Sequence, residues 1–178
     1  MPDTDDPKRG DVAEYVSALK ASERLKERIC CHRVLPAKPA RFGEPARPLS
    51  RAVAGLLAAR GVEALYEHQA RCVSLARAGR NVVAATPTAS GKTLTYTLPV
   101  LEQLVADPAS RALFLFPLKA LAQDQLRAFT ELTASLPESA RPTVAVYDGD
   151  TTPYMRAKLR RNPPNVLITN PEMLHLAL

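Results

Sequence analysis

Short apolar runs alternate with longer amphipathic stretches over most of the chain, and the alternation is strongest after residue 64. The runs are Asn81-Val-Val-Ala-Ala85, Ala112-Leu-Phe-Leu-Phe116, Thr143-Val-Ala-Val-Tyr147 and Asn165-Val-Leu-Ile-Thr169. Each is apolar at successive positions and bounded by Pro, Gly, Asn or Asp. Strands of that kind belong inside a parallel sheet covered on both faces. The segments between them, 93–106, 119–136 and 152–161, are long enough for crossover helices. Together they predict an α/β, doubly wound domain with four mostly parallel strands.

Ahead of residue 64 the pattern is weaker. Residues 1–11 read as a disordered acidic tip. Val12, Tyr15, Val16, Leu19 and Leu25 recur at roughly helical spacing, which predicts a polar helix over 12–29. Pro36, Pro39, Pro45 and Pro48 make 35–49 an extended linker that wraps a surface. Leu49-Ser50 then opens a helix through Leu56, Leu57 and Ala58, closed by Arg60-Gly61. A further helix runs from Glu67 to Ala78 and stops at Gly79. The expected organisation is an N-terminal extension and linker over 1–48, followed by one domain over 49–178.

Composition narrows the class. The chain has 178 residues, 46% hydrophobic and 24% charged, a globular balance that excludes wholesale disorder. Lys92, Glu102 and Lys119 interrupt the best candidates for a membrane span, so no membrane is expected. Met1-Pro-Asp-Thr-Asp-Asp6 has no apolar core and no secretory signal is read there. Three cysteines, with Cys30 and Cys31 adjacent, make no disulfide framework, and a cytoplasmic, reducing compartment is expected. Cys30-Cys31-His32 lacks the ligand spacing of a zinc site, and Cys72 reads as a small buried apolar residue. The net charge of +6 is compatible with a nucleic-acid partner. Arg156-Ala-Lys-Leu-Arg-Arg161 is purely basic. With no Trp and 5% aromatic residues, phosphate contact is a more natural grip than base stacking.

The stretch that carries chemistry is Thr86-Pro87-Thr88-Ala89-Ser90-Gly91-Lys92-Thr93. Gly91-Lys92-Thr93 closes a phosphate-binding loop, although the strict pattern wants glycine where Thr86 stands. A strand ending at Ala85 and a helix opening at Lys92 supply the required strand–loop–helix context. Free N–H groups at the helix start, with its dipole, cradle anionic oxygens. Gly91 lets backbone approach a phosphate, Lys92 places a compact positive charge between phosphates, and Thr93 offers a hydroxyl to Mg²⁺. The bland reading is a helix merely capped by Ser90. Upstream, Gln69 could read an adenine edge with one donor and one acceptor, with Tyr66 packed nearby. Ligands of open parallel sheets bind beyond the carboxyl ends of strands. Pro117 to Gln123, with Lys119, follows the second run. Asp148-Gly149-Asp150-Thr151 follows the third, and Thr169-Asn170-Pro171-Glu172 the fourth.

These residues resemble superfamily-two helicases of the DEAD/DEAH-box kind, and most nearly the MrfA (YprA) type of DNA helicase. The likeness rests on Tyr66-Glu-His-Gln69, Thr86–Thr93, Phe116-Pro-Leu-Lys-Ala-Leu-Ala-Gln-Asp-Gln125, Tyr147-Asp-Gly-Asp-Thr151 and Thr169-Asn-Pro-Glu-Met-Leu-His175, in that order. The resemblance implies a RecA-like P-loop domain that uses ATP and Mg²⁺. It implies Gln69 as the adenine-reading glutamine, and Lys92 and Thr93 as the catalytic lysine and Mg²⁺ hydroxyl. It also implies a nucleic-acid backbone contact through Pro117, Lys119, Ala120, Gln123, Gly149, Asp150, Thr169, Asn170 and Pro171. Movement on DNA with 3′-to-5′ polarity, a role in DNA repair and a monomeric state complete the expectation. Such helicases carry an acidic box and a second RecA-like domain further along. The chain stops before both, so the sheet is expected to be incomplete, with apolar surface exposed and ATP hydrolysis inefficient. Two rivals stand beside this: another P-loop enzyme such as a small kinase, and a truncated product that only binds nucleic acid.

Overall fold

The computed structural model describes residues 11–37 and 39–177; the acidic tip over 1–10 lies outside them. The chain divides into two compact units between Pro39 and Ala40.

In the first unit, helix α1 spans Val12–Ala21 and is capped by Asp11, whose Oδ1 accepts from the Ala13 N–H at 2.9 Å. The helix stops at Ser22, which is extended (ψ 121), and only a single 3₁₀ turn, Lys26–Arg28, follows. The expected 18-residue helix is therefore halved. Beyond Leu19 the only apolar residue at helical spacing is Leu25, and no residue of α1 or of the turn is buried, so no packing offsets the cost of extending the helix.

The second unit opens with strand β1 (Phe42–Gly43) inside the supposed linker. It pairs antiparallel with β2 (Leu65–Tyr66), Phe42 opposite Tyr66. Gly43 is required there: a Cβ would stand 3.2 Å from the Glu67 Cα. Helix α2 (Arg51–Ala58) starts on the Ser50 hydroxyl and ends near Gly61, whose φ is +70°. Helix α3 (Glu67–Arg77) ends at Gly79, φ +69°. The remaining elements alternate: α4 (Lys92–Ala106), β3 (Ala112–Leu115), α5 (Lys119–Thr133), β4 (Val144–Tyr147), α6 (Pro153–Arg161), β5 (Val166–Thr169) and α7 (Pro171–Ala177). The sheet is parallel in the order β3-β5-β4, with Leu115 and Tyr147 both level with Thr169. β5 is central, and its Val166 and Ile168 are fully buried. They join one core with Leu56 and Val53 of α2, Leu98 and Leu101 of α4 and Phe129 of α5. Asn165 ties the lower strand ends together. Its Oδ1 accepts from Thr143 N and Oγ1, both at 3.0 Å, and its Nδ2 donates to the Pro108 and Ser110 carbonyls.

Two expectations fail together. Asn81–Ala85 is not a strand: it runs without sheet pairing, and Val83 is 94% exposed. The sheet is also not covered on both faces, since Leu113 and Leu115 of β3 are about half exposed. A β-strand exists only through its partner's hydrogen bonds, and among the described residues nothing pairs with 81–85. The three strands present do not supply that partner, and the exposed Val83, Leu113 and Leu115 are the apolar surface expected of an incomplete sheet.

Beyond β1, the linker is held by polar contacts. Arg77 on α3 pairs with Glu102 on α4 at 2.5 Å and donates to the Arg47 and Pro48 carbonyls. The Ser50 N–H donates to Glu102 at 2.8 Å. Ala46 N–H donates to Ser74 Oγ at 2.9 Å.

Candidate nucleotide and nucleic-acid site

The loop 86–91 folds onto its own lysine. The Lys92 ammonium donates to the Thr86 carbonyl at 2.8 Å and to the Pro87 carbonyl. The Thr86 and Ser90 hydroxyls are 2.6 Å apart and bonded, so Ser90 does not cap α4. The cap is Gly91, with φ +75° and no side-chain bond. Ala89 also lies in the left-handed region at φ +57°. These two left-handed residues, on either side of Ser90, turn the chain sharply from the unpaired 81–85 segment into α4. Thr93 is half-buried and lines a cavity of about 210 Å³ with Arg60, Leu94, Phe114 and Gln125.

Gln69 is buried, 2% exposed, and its amide is engaged at both ends. Oε1 accepts from the Tyr66 N–H and Nε2 donates to the Gly91 carbonyl, each at 2.9 Å. It thus caps α3 and fastens the loop. Tyr66 stacks on Phe42 (centroids 5.4 Å, planes 12° apart) and on His68 (5.8 Å, 9°). His68 Nε2 is buried without a hydrogen-bond partner. Phe42 is 60% exposed. Sequence reasoning missed Phe42 because it lay among prolines, and the two-residue ribbon that brings it to Tyr66 leaves no periodic signal.

On the same edge, the turns after β3, β4 and β5 meet. Phe116 N–H donates to the Thr169 carbonyl at 2.9 Å, and the Thr169 hydroxyl to the Tyr147 carbonyl at 2.6 Å. Asn170 Oδ1 caps α7 by accepting from Met173 N–H at 2.7 Å, with Pro171 as the first helical residue. Thr169 is buried, whereas Pro117, Lys119, Ala120, Gln123, Gly149, Asp150 and Pro171 are exposed. Lys119 pairs with Asp150 at 2.8 Å. That hydrogen bond, with the fields of Asp150, Asp148 and Glu172, pushes the Lys119 ammonium above its ordinary pKa against slight desolvation. The Asp148 carboxylate accepts from Asp150 N–H (3.0 Å) and the Thr151 hydroxyl (3.2 Å). Arg156, which the sequence showed only as part of a basic run, donates to the Thr151 and Asp148 carbonyls and lies 5.3 Å from the Tyr147 ring centre.

A parallel sheet with a phosphate loop entering a helix beside its strands, and three helix-opening turns at the strands' carboxyl ends, defines a RecA-like P-loop domain. The family model of the DEAD/DEAH box helicase matches residues 66–178. The chain is 37% identical over 171 residues to the ATP-dependent helicase YprA of Bacillus subtilis, which is 96% of this chain and 22% of YprA. It is 44% identical over 116 residues to the ATP-dependent helicase HRQ1 of Saccharomyces cerevisiae (65% of this chain, 11% of HRQ1). Among solved structures it superposes on the DUF1998 helicase MrfA, bound to DNA and AMPPNP, with a TM-score of 0.76 and 35% identity, over 93% of this chain and 22% of MrfA. The chain belongs to the DEAD/DEAH box helicase family. It spans about a fifth or less of the length of these relatives. Among the described residues no helix is long and apolar enough to cross a membrane.

Proposed function

We propose that this chain is the ATP-binding part of an ATP-dependent DNA helicase or translocase. The observation that carries the reading is the loop itself. Gly91 enters α4 in a left-handed conformation, and the ammonium of Lys92 sits inside the loop on carbonyl oxygens. Carbonyl oxygens repel an anion, so a nucleotide has to draw the ammonium away from them. Lys92 would exchange them for phosphate oxygens, and the first N–H groups of α4, which lack intrahelical partners, would add donors. The Thr93 hydroxyl would help hold Mg²⁺ together with phosphate oxygens and water, and the ion would supply charge neutralisation for the triphosphate. Among the described residues no group of three or more His, Cys, Asp or Glu could hold a metal unaided.

The Phe42–Tyr66 stack beside Gly91 offers a flat apolar face to a base. Gln69 keeps one amide N–H and one lone pair on Oε1 beyond its two bonds, one donor and one acceptor for an adenine edge. Lys119, Gly149, Asn170 and their neighbours would meet a DNA backbone; the likeness to MrfA, whose structure is bound to DNA, supports this reading. Movement with 3′-to-5′ polarity, a role in repair, a cytoplasmic location and a monomeric state belong to the same reading, and rest on the likeness to the MrfA type. The chain by itself is read, on the same likeness, as binding ATP and nucleic acid without efficient hydrolysis.

A titration with a fluorescent ATP analogue and Mg²⁺ tests this. Wild type is expected to bind saturably, and Lys92→Ala to bind at least about tenfold more weakly, since one charge-assisted phosphate contact contributes roughly 1.5–3 kcal/mol. Equal affinity in the two proteins would refute the assignment.

A further inference from the structure

The exposed cation at the centre of the strand-end turns is already occupied. Lys119 Nζ lies 2.8 Å from Asp150 Oδ2, and a Cβ on Gly149 would stand 3.5 Å from the same nitrogen. Asp150 is held in place from below: its N–H is bonded to Asp148, Asp148 is bonded to Thr151, and Arg156 spans the carbonyls of both. The turn is rigid where it joins the sheet, while the Asp150 side chain itself is 79% exposed and free to rotate into water.

We propose that Asp150 is a built-in competitor for the phosphate site on Lys119, its carboxylate filling the position that a nucleic-acid backbone phosphate must take. The inference rests on the reading of these turns as a nucleic-acid contact and adds to it a residue that sets how selectively the contact is made. A lysine ammonium is a compact point charge, and two anions on it repel each other. The ammonium has three donors, but its single charge cannot neutralise both anions, so a phosphate gains most by displacing Asp150. An exposed ion pair is weak, so displacement is easy for a strand that engages several donors at once. It is less easy for an isolated phosphate or carboxylate, which brings only one contact. The exchange also removes most of the salt dependence that Lys119 would otherwise contribute, because the ammonium carries its counter-ion with it as a side chain.

The test is fluorescence anisotropy with a fluorescein-labelled oligothymidylate over a salt series, without nucleotide, on wild type, Asp150→Asn, Lys119→Ala and the double variant. Asp124→Asn, also exposed on α5, controls for the change in net charge. Asp150→Asn is expected to bind about two- to fivefold more tightly, with a salt slope steeper by about 0.7. The gain is expected to vanish in the Lys119→Ala background, and to exceed that of Asp124→Asn. If Lys119→Ala weakens binding but Asp150→Asn does not tighten it, or tightens it no more than Asp124→Asn, the competitor role is overturned and the nucleic-acid reading stands. If Lys119→Ala leaves binding unchanged, the nucleic-acid reading of these turns fails and the competitor role with it.

Discussion

Gly91→Ala is expected to lower affinity for an ATP analogue by at least about tenfold and to destabilise the fold by about 2–4 kcal/mol. Two separate causes act at this position. Its φ of +75° lies in the left-handed region, where a side chain costs roughly 1–3 kcal/mol. A Cβ would also stand 2.6 Å from the Gln69 Nε2 atom. That amide cannot swing aside, because its oxygen is committed to the Tyr66 N–H and the residue is buried. The clash therefore breaks the Gln69–Gly91 bond or shifts the entry to α4, and either result moves Lys92 and Thr93. Urea unfolding and the nucleotide titration together measure both effects. A variant with unchanged stability and affinity would mean that the loop reaches α4 by another path. Ala89 is the useful contrast: it holds a φ of +57° with a side chain.

Arg77→Ala is expected to cost about 3 kcal/mol, because it leaves a mostly buried carboxylate without its cation. Glu102 would retain only the Ser50 N–H, and the Arg47 and Pro48 carbonyls would lose their donor. The pH dependence follows from the sign of the shift. Burial pushes the Glu102 carboxyl up, but the Arg77 and Ser50 hydrogen bonds and the Arg77 charge outweigh it and hold the group below its ordinary 4.5. A depressed carboxyl stabilises the fold above its unfolded-state value and loses that contribution as pH falls through the folded one. The gap between wild type and Arg77→Ala is therefore expected to be widest near neutral pH and to shrink below about 4.5, where Glu102 in the variant can protonate and shed its unpaired charge. Chemical denaturation at two pH values reads this directly. A gap that stays constant on acidification would show that Arg77 acts through packing alone.

Much of the fold was legible because its signals are local. Ser50, Gly61 and Gly79 bound their helices where the caps and left-handed turns lie. The three strands of the parallel sheet carry short apolar runs, α5 and α6 fill the two intervals between them, and α4 precedes the first. What stayed hidden depends on partners distant in sequence. Asn81–Ala85 has the composition of a strand, but composition cannot supply a neighbour. The ribbon between Phe42 and Tyr66 is two residues long on each side, below any periodicity. Arg77 and Glu102 meet only because α3 packs on α4. At the candidate site the residue types were legible and their current engagements were not. Gln69 has the chemistry to read a base, yet its amide fastens Gly91. Thr169 and Asn170 sit at the strand edge, yet their polar atoms bond Tyr147 and Met173. Lys119 and Asp150 are far apart in the chain and carry opposite charges that give no sign of pairing until two strand ends align.

The central claim is that the bend from Thr86 to Thr93 receives a triphosphate. Amide NMR of the ¹⁵N-labelled chain, titrated with AMPPNP and Mg²⁺, tests it most directly. The expected result is saturable shifts that are largest at Gly91, Lys92 and Thr93, with Gln69 and Tyr66 responding through their bonds to the loop. Shifts confined to residues away from this bend, or none at saturating nucleotide, would contradict it.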